Sequence, residues 1–215
     1  CLEGKVNCSR EVLDILKNCQ SSEHFRIDEI CLHEKEVTLE KLNTLTQAMK
    51  EYNKDLGYII KSGKDKSELI ITAHGNPYLF KEVELLVHHA PVVERWKITT
   101  FLQPETNLSK YENGTDKPLE YYGITLRISE MYFIPLENPN KPTDLGIKVL
   151  LKNYIIHKEN SRLREAVYVH IEHLIGEKSF ANDIAFIEIG QLEGDNENQI
   201  ELFNLKSYID YCNST

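Results

Sequence analysis

The sequence predicts an α+β fold: an antiparallel or mixed β-sheet with helices packed on one face, as in an elaborated ferredoxin-like fold, preceded by N-terminal helices. Two observations lead to this prediction. From residue 58 onward the local signals follow the order β-β-α-β-β-β-α-β, with one helix after the second strand and another before the last. The chain has 215 residues, of which 41% are hydrophobic, so it can bury a full core without disulfides or a structural metal.

The N-terminal third is predicted to be helical. Ser9 can cap a helix whose apolar residues recur at helical spacing. A stronger helix is predicted from a cap at Thr38 to Gly57, which would end it in a left-handed turn. We assign residues 1–37 to an N-terminal helical extension and residues 38–215 to a single α+β domain.

The central part of the chain has the most complete set of local signals. Two β-prone runs, 58–61 and 68–73, flank a polar turn and predict a hairpin. Asn76 is a good N-cap for the helix that follows, and Pro77 takes the first helical position, where its missing N–H is harmless. Pro91 ends this helix. The next run alternates apolar and polar residues, which predicts a strand with one face on the core.

The rest of the chain is predicted to complete the sheet. A long surface loop rich in Asn, Pro, Thr and Gly, 103–118, comes first. A helix over 162–175, capped by Ser161 and ended by Gly176, is predicted before the last strand. The predicted strands cover 123–129, 131–136, 146–154 and 184–189, and a short amphipathic helix closes the chain.

Parts of this pattern resemble a group of uncharacterised bacterial proteins. They are the run 69–76 with the helix after it, and the later pieces 183–188 and 205–210. The resemblance covers residues 38–212. No activity or ligand is assigned to the group, so the resemblance implies a bacterial origin and no catalytic residues.

This chain departs from the pattern of that group at two places. An acidic residue is commoner at the position of His74, and small residues are usual at the positions of His88 and His89. A chemistry shared with the group is therefore not expected at these histidines.

The charge of the chain argues against some classes of partner. Against 25 Lys and Arg stand 34 Asp and Glu, a formal charge of -9, which repels nucleic acid and anionic lipid. No cluster of basic residues marks a nucleic-acid-binding face. No apolar run approaches the roughly 18 residues of a membrane span. We expect neither a nucleic-acid partner nor a membrane span, and the sequence leaves the oligomeric state open.

The cysteines indicate a cellular compartment rather than a site. Four of the five lie in the first 31 residues, and their spacing matches neither zinc-site pairs nor a disulfide framework. We expect reduced thiols in a cytoplasmic protein. The alternative is a lipoprotein anchored through an acylated Cys1, the first residue of the chain.

The first candidate binding site is the turn His74, Gly75 and Asn76. A helix N-terminus directly after a strand presents free N–H groups to a phosphate or carboxylate. The turn lacks the glycine-rich patterns of nucleotide-binding loops. A plain capped turn is the competing interpretation.

The second candidate is a metal site at His170 and His173. With Glu177 they have i, i+3, i+7 spacing, which would align three ligands along one helical face. Gly176 is expected to break the helix before Glu177. His170 is also in phase with apolar helix positions, so a hydrogen-bonded histidine at the edge of the core is the competing interpretation.

No catalytic motif stands out in the sequence. No Ser or Cys lies in a nucleophile-elbow pattern, no pair of carboxylates is distinctive, and no cofactor is predicted. The leading hypothesis is a soluble, non-catalytic binding or interaction module whose acidic surface suits a basic protein partner. The alternative is a small-ligand-binding protein or enzyme with a pocket at the turn 74–77.

Overall fold

The computed structural model describes most of the chain from the second predicted helix onward. The predicted helix capped by Ser9 and the cysteines of the N-terminal region lie outside it. The chain forms two compact units, one ending at Phe101 and the other beginning at Leu102. The assignment of a single domain to 38–215 stays a prediction. The described residues are 32–61, 65–136, 144–194 and 198–214.

The first unit contains a three-stranded sheet with a helix connecting two of its strands. Strand β1 (Gly57–Lys61) is antiparallel to β2 (Ser67–Thr72), and β2 is parallel to β3 (Trp96–Thr100), in the order β1-β2-β3. Parallel neighbours require a crossover, which α2 provides. The predicted hairpin, helix and strand of this region are confirmed. In chain order the elements are α1 (Leu32–Tyr52), β1 (Gly57–Lys61), β2 (Ser67–Thr72), a 3-10 turn (Pro77–Leu79), α2 (Phe80–His88) and β3 (Trp96–Thr100).

Strand β2 and helix α2 supply much of the core of the first unit. The helix buries Phe80, Val83 and Leu86, which lie on one face at helical spacing. The ring of Phe80 meets the ring of Phe101 edge-on, with the centroids 4.8 Å apart. These three residues form one apolar stripe on the buried face of the helix.

Two boundary predictions in the first unit are wrong. Helix α1 begins at Leu32, so Thr38 lies inside the helix and not at its cap. The helix ends at Tyr52, and Gly57 is the first residue of β1 instead of a helix terminator. A close contact explains the glycine, because a Cβ at Gly57 would lie 2.3 Å from Nε2 of His74.

The second unit contains a four-stranded sheet and a small hairpin. Strands β4 and β5 form the hairpin, and the main sheet has the order β8-β7-β6-β9. Strands β7 and β8 are parallel, with α4, α5 and α6 in the connection between them, and the other pairs are antiparallel. The helices are α3 (Ser109–Glu112), α4 (Tyr154–His157), α5 (Leu163–Ile175), α6 (Glu177–Asp183) and α7 (Leu205–Ser214). The strands are β4 (Leu119–Tyr121), β5 (Ile124–Leu126), β6 (Met131–Leu136), β7 (Gly146–Leu151), β8 (Phe186–Gln191) and β9 (Ile200–Glu201).

Three strand boundaries differ from the predictions in the second unit. The strand predicted over 123–129 is shorter, because a 3-10 turn, Ile128–Glu130, interrupts it before β6. The strand predicted over 146–154 ends at Leu151, where the chain turns into α4. The last long strand lies two residues further along than predicted, at Phe186–Gln191.

Helix α5 has the predicted end but a different start. It begins at Leu163, and Oδ1 of Asn160, instead of Ser161, accepts a hydrogen bond from the N–H of Arg162 at 2.9 Å. The helix stops before Gly176, as predicted, because this residue has a left-handed φ of 82°. A new helix, α6, follows at once.

The predicted α+β class is confirmed, with both mixed and antiparallel sheets. The described strands form three sheets, whereas the element order suggested that they close into one. Sequence periodicity identifies strands but not their partners. No helix in the described ranges is both long enough and apolar enough to cross a membrane.

Candidate functional site

The predicted site at His74, Gly75 and Asn76 is a tight turn. Its backbone is left-handed at His74, with φ 53°, and at Gly75, with φ 73°. The N–H of Asn76 donates to the carbonyl of Ala73 at 3.0 Å. Oδ1 of Asn76 accepts from the N–H of Tyr78 at 3.1 Å. Asn76 is therefore the predicted N-cap, here of the 3-10 turn that leads into α2.

His74 has contacts within the first unit that account for its position. Its N–H donates to Oγ1 of Thr72 at 2.9 Å, and its ring lies against the backbone of Gly57. A left-handed backbone at a non-glycine residue costs about 1–2 kcal/mol, and these contacts offset that cost. Ligand binding at this turn stays a prediction.

His170, predicted as a metal ligand, is buried in the second unit with 2% of its surface exposed. Its Nδ1 lies 2.6 Å from the carbonyl oxygen of Ala166, and its Nε2 lies 3.4 Å from that of Leu126. Burial lowers the pKa of His170, although the carbonyls and the charge of Asp116 act in the opposite direction. Both ring nitrogens face protein oxygens, as in the competing interpretation of a hydrogen-bonded core histidine.

The other two residues of the predicted metal site are placed differently. His173 is exposed on α5, and Glu177 is fully buried at the start of α6. In the part of the chain that the structure describes, no group of three or more His, Cys, Asp and Glu side chains is arranged to hold a metal ion. Metal binding at His170 and His173 stays a prediction.

The structure does bring both histidines to the wall of one cavity. This cavity, of about 410 Å³, lies within the second unit. Its wall combines apolar side chains near the hairpin with polar ones from α5 and from α3 and the loop after it. The apolar residues are Leu119, Leu126 and Ile128, and the others are Lys110, Tyr111, Thr115, Asp116, Lys117, His170 and His173.

Asp116 is the buried carboxylate of this cavity, with 6% of its surface exposed. Its Oδ2 accepts a long hydrogen bond of 3.4 Å from the N–H of Ser129. Its Oδ1 is shielded from solvent and accepts no hydrogen bond from any described residue. The N–H groups of Thr115 and Asp116 both donate to the carbonyl of Lys110, at 2.8 and 3.1 Å. The backbone thus fixes a carboxylate that has a vacant acceptor position.

The basic residues of the cavity do not neutralise Asp116. Lys110 forms an ion pair with Glu105, and its Nζ lies 4.9 Å from the ring centroid of Tyr111. Burial is the largest single effect and lowers the pKa of Lys110, but the hydrogen bond to Glu105 and the charge interactions with Glu105 and Tyr111 together outweigh it, and the pKa is raised. Lys117 is exposed. Asp116 has no ion-pair partner among the residues described here.

A second cavity, of about 680 Å³, also lies in the second unit, beside β6, α6 and α7. Two carboxylates line it, Asp144 and Asp183, and Asp183 accepts a hydrogen bond of 2.5 Å from Oγ of Ser179. Neither has a buried oxygen without a hydrogen-bond donor, whereas Asp116 does. Neither of these two cavities is lined by the turn 74–76. The Asp116 cavity is therefore the stronger candidate site.

Two carboxyl groups meet at the junction of α5 and α6. Glu177 is fully buried, and its backbone N–H donates to the carbonyl of Leu102 at 2.9 Å. Glu172, one turn earlier, is partly buried. Burial raises the pKa of Glu172 to about 7, and the charge of Glu177 adds to the effect. Glu172 therefore exchanges its proton near neutral pH.

The sequence prediction missed Asp116. The residue lies in the loop 103–118, whose composition indicates a solvated surface. Short polar loops contain many Asp residues, and no local pattern marks the one that will be buried. Its burial depends on tertiary contacts, such as the hydrogen bond from the N–H of Ser129, which the local sequence does not show.

Comparisons of the chain with protein-family models, with curated proteins and with solved structures find no match. The resemblance to a group of uncharacterised bacterial proteins therefore stays a prediction.

Proposed function

We propose that the protein is a non-catalytic binding module whose second unit holds a small organic molecule in the cavity at Asp116. The observation that supports this function is the buried Oδ1 of Asp116 without a donor. Oδ1 has no surface that water can reach, so a ligand with an N–H or O–H group would supply the missing hydrogen bond after the Asp116 side chain turns towards the cavity that it lines. The proposal keeps the binding module expected from the sequence and moves its site from the turn 74–77 to this cavity.

The geometry of Asp116 is poorly suited to a purely stabilising role. A buried polar atom without a partner costs about 1–3 kcal/mol, and a carboxylate placed for stability would receive donors on both oxygens. The bond from Ser129 is long, at 3.4 Å. The unpartnered carboxylate oxygen of Asp116 lowers the stability of the fold, as is common where a protein binds a ligand.

His170 forms part of the wall of the cavity. Its ring is oriented by the close contact between Nδ1 and the carbonyl of Ala166, and its burial favours the neutral form. Both ring nitrogens face backbone carbonyls, so the neutral, fixed ring contributes shape to the cavity wall. We therefore assign His170 to binding and not to proton transfer.

The substitution Asp116→Asn separates binding from stability. It keeps the shape of the side chain and removes the buried charge, so we expect the free energy of unfolding to stay equal or to rise. Small amines, alcohols and amides should shift the backbone amide NMR signals of Leu126 and Ser129 in the unaltered protein, and the same shifts should need higher ligand concentrations in the variant. Asp55→Asn, at an exposed site in the first unit, is the control and should leave them unchanged.

Two results would contradict the proposed function. One is a loss of about 2 kcal/mol or more in the stability of the Asp116→Asn variant, because the carboxylate would then stabilise the fold. The other is the absence of any ligand-induced shift at Leu126 and Ser129 in the unaltered protein.

The sequence-based hypothesis of a protein partner stays a prediction alongside this one. The formal charge of -9 motivates it. A pull-down from native lysate at low ionic strength that recovers no basic protein would contradict it. The cytoplasmic location and its alternative, an anchor at Cys1, likewise stay predictions.

A further inference from the structure

We infer that the ligand of the Asp116 cavity is a small organic cation, a protonated amine with a short branched apolar group. This inference rests on the proposed function, because it names the chemical class that the same cavity selects.

The charge distribution around the cavity favours a cation. Asp116 is the carboxylate among the residues that line it. The charge of Lys110 is offset by its ion pair with Glu105, and the exposed charge of Lys117 is screened by solvent. A hydrogen bond from an ammonium group to a shielded carboxylate is stronger than one from a neutral hydroxyl.

The apolar wall determines the rest of the ligand. Leu126 and Ile128 are buried, whereas Leu119 is 44% exposed although it lines the cavity. A branched aliphatic group of four or five carbons would cover this surface, and burying it would add to the affinity. A cavity of about 410 Å³ has room for a molecule of this size.

The rival class is an anion held by the basic residues of the cavity. Lys110, Lys117 and His173 all line it, so a carboxylate ligand would meet positive charge there. It would also meet the unpaired carboxylate of Asp116, which repels it. The carboxylate of Asp116 should therefore raise the affinity for a cationic ligand and lower the affinity for an anionic one.

Three ligands of matched shape test the inference on the full chain. They are isopentylamine, isopentanol and isovalerate, each titrated at about 150 mM salt and followed by the backbone amide signals of Leu126 and Ser129. We expect the amine to bind about tenfold more tightly than the alcohol and the carboxylate to bind most weakly. Asp116→Asn should remove the preference for the amine, and Asp55→Asn should preserve it.

Each outcome has a distinct meaning. Equal affinities for amine and alcohol that both depend on Asp116 would overturn the cationic class and keep the proposed function. Tightest binding of isovalerate would overturn the cationic class in favour of the anion. Amine binding that is unchanged in Asp116→Asn would reveal general attraction to an acidic chain and overturn the inference. No binding of any of the three would count against both the inference and the proposed function.

Discussion

Replacing Glu172 by glutamine should change how the stability of the protein depends on pH. Burial next to Glu177 raises the pKa of Glu172 from 4.5 to about 7. Because its folded-state pKa is the higher one, the folded protein binds this proton more tightly than the unfolded chain does. The resulting stabilisation is fully present below pH 4.5 and is lost as the pH rises towards 7.

The size of the effect follows from the same shift. A change from 4.5 to about 7 corresponds to at most about 3 kcal/mol. Glu172 is only partly buried, so screening by solvent reduces the expected effect to about 1–2 kcal/mol. Above pH 7 the glutamine variant has no charge to desolvate and should exceed the unaltered protein in stability by this amount, or by about 2–8 °C in Tm. Below pH 4.5 the advantage should disappear.

The assay is urea denaturation from about pH 4 to about pH 9, followed by circular dichroism. Glu188→Gln removes the same charge from an exposed position on β8 and serves as the control, which should lack the pH-dependent difference. A stability difference between the Glu172→Gln variant and the unaltered protein that stays constant with pH would refute the reasoning. So would a carboxyl NMR titration that places Glu172 at its ordinary value.

Three further predictions concern single positions. Gly176→Ala should lower the free energy of unfolding by about 3 kcal/mol in urea denaturation, because its Cβ would meet Pro104 at 2.8 Å with φ at 82°. Gly123→Ala, with φ 78° and open space around it, should cost only about 1 kcal/mol, and equal losses would contradict the packing argument. Asn76→Ala should cost about 1 kcal/mol and Asn76→Gly only a few tenths, and equal effects of the two would contradict the capping role. The ring protons of His170 should titrate in NMR with a midpoint below 6.5. His170 should therefore contribute to a fall in stability as the pH drops below 6.5. A midpoint at or above that value would contradict its burial as a neutral ring.

The sequence predicted best where the determinants of structure are local. In the stretch from Glu68 to Leu102, a cap at Asn76, a proline at the next position and an apolar stripe each act within a few residues. These signals place the strand, the helix and the second strand correctly. The two wrong boundary predictions, at Thr38 and Gly57, have different causes. Threonine is common at helix caps, but Thr38 lies within α1. Gly57 is a glycine because the ring of His74, which is distant in sequence, leaves no room for a Cβ.

Local sequence patterns do not show which strands pair or which polar residues are buried. The division of the strands into three sheets, and the parallel pairing of β2 with β3 and of β7 with β8, depend on which edges meet. The burial of Asp116 could not be predicted for the same reason, because a single Asp in a polar loop shows no periodicity. The position of His170 could be anticipated from the sequence, because its phase on the helix already indicated the edge of the core.

The parallel pairing of β7 and β8 has a consequence for how the second unit folds. The residues 152–185 must close a long loop before these two strands can form hydrogen bonds, and the entropy of that closure is lost before the pairing compensates it. We expect the antiparallel pair β6 and β7 to form first and β8 to join late. Substitutions at buried Ile187 should then speed unfolding while leaving the folding rate nearly unchanged.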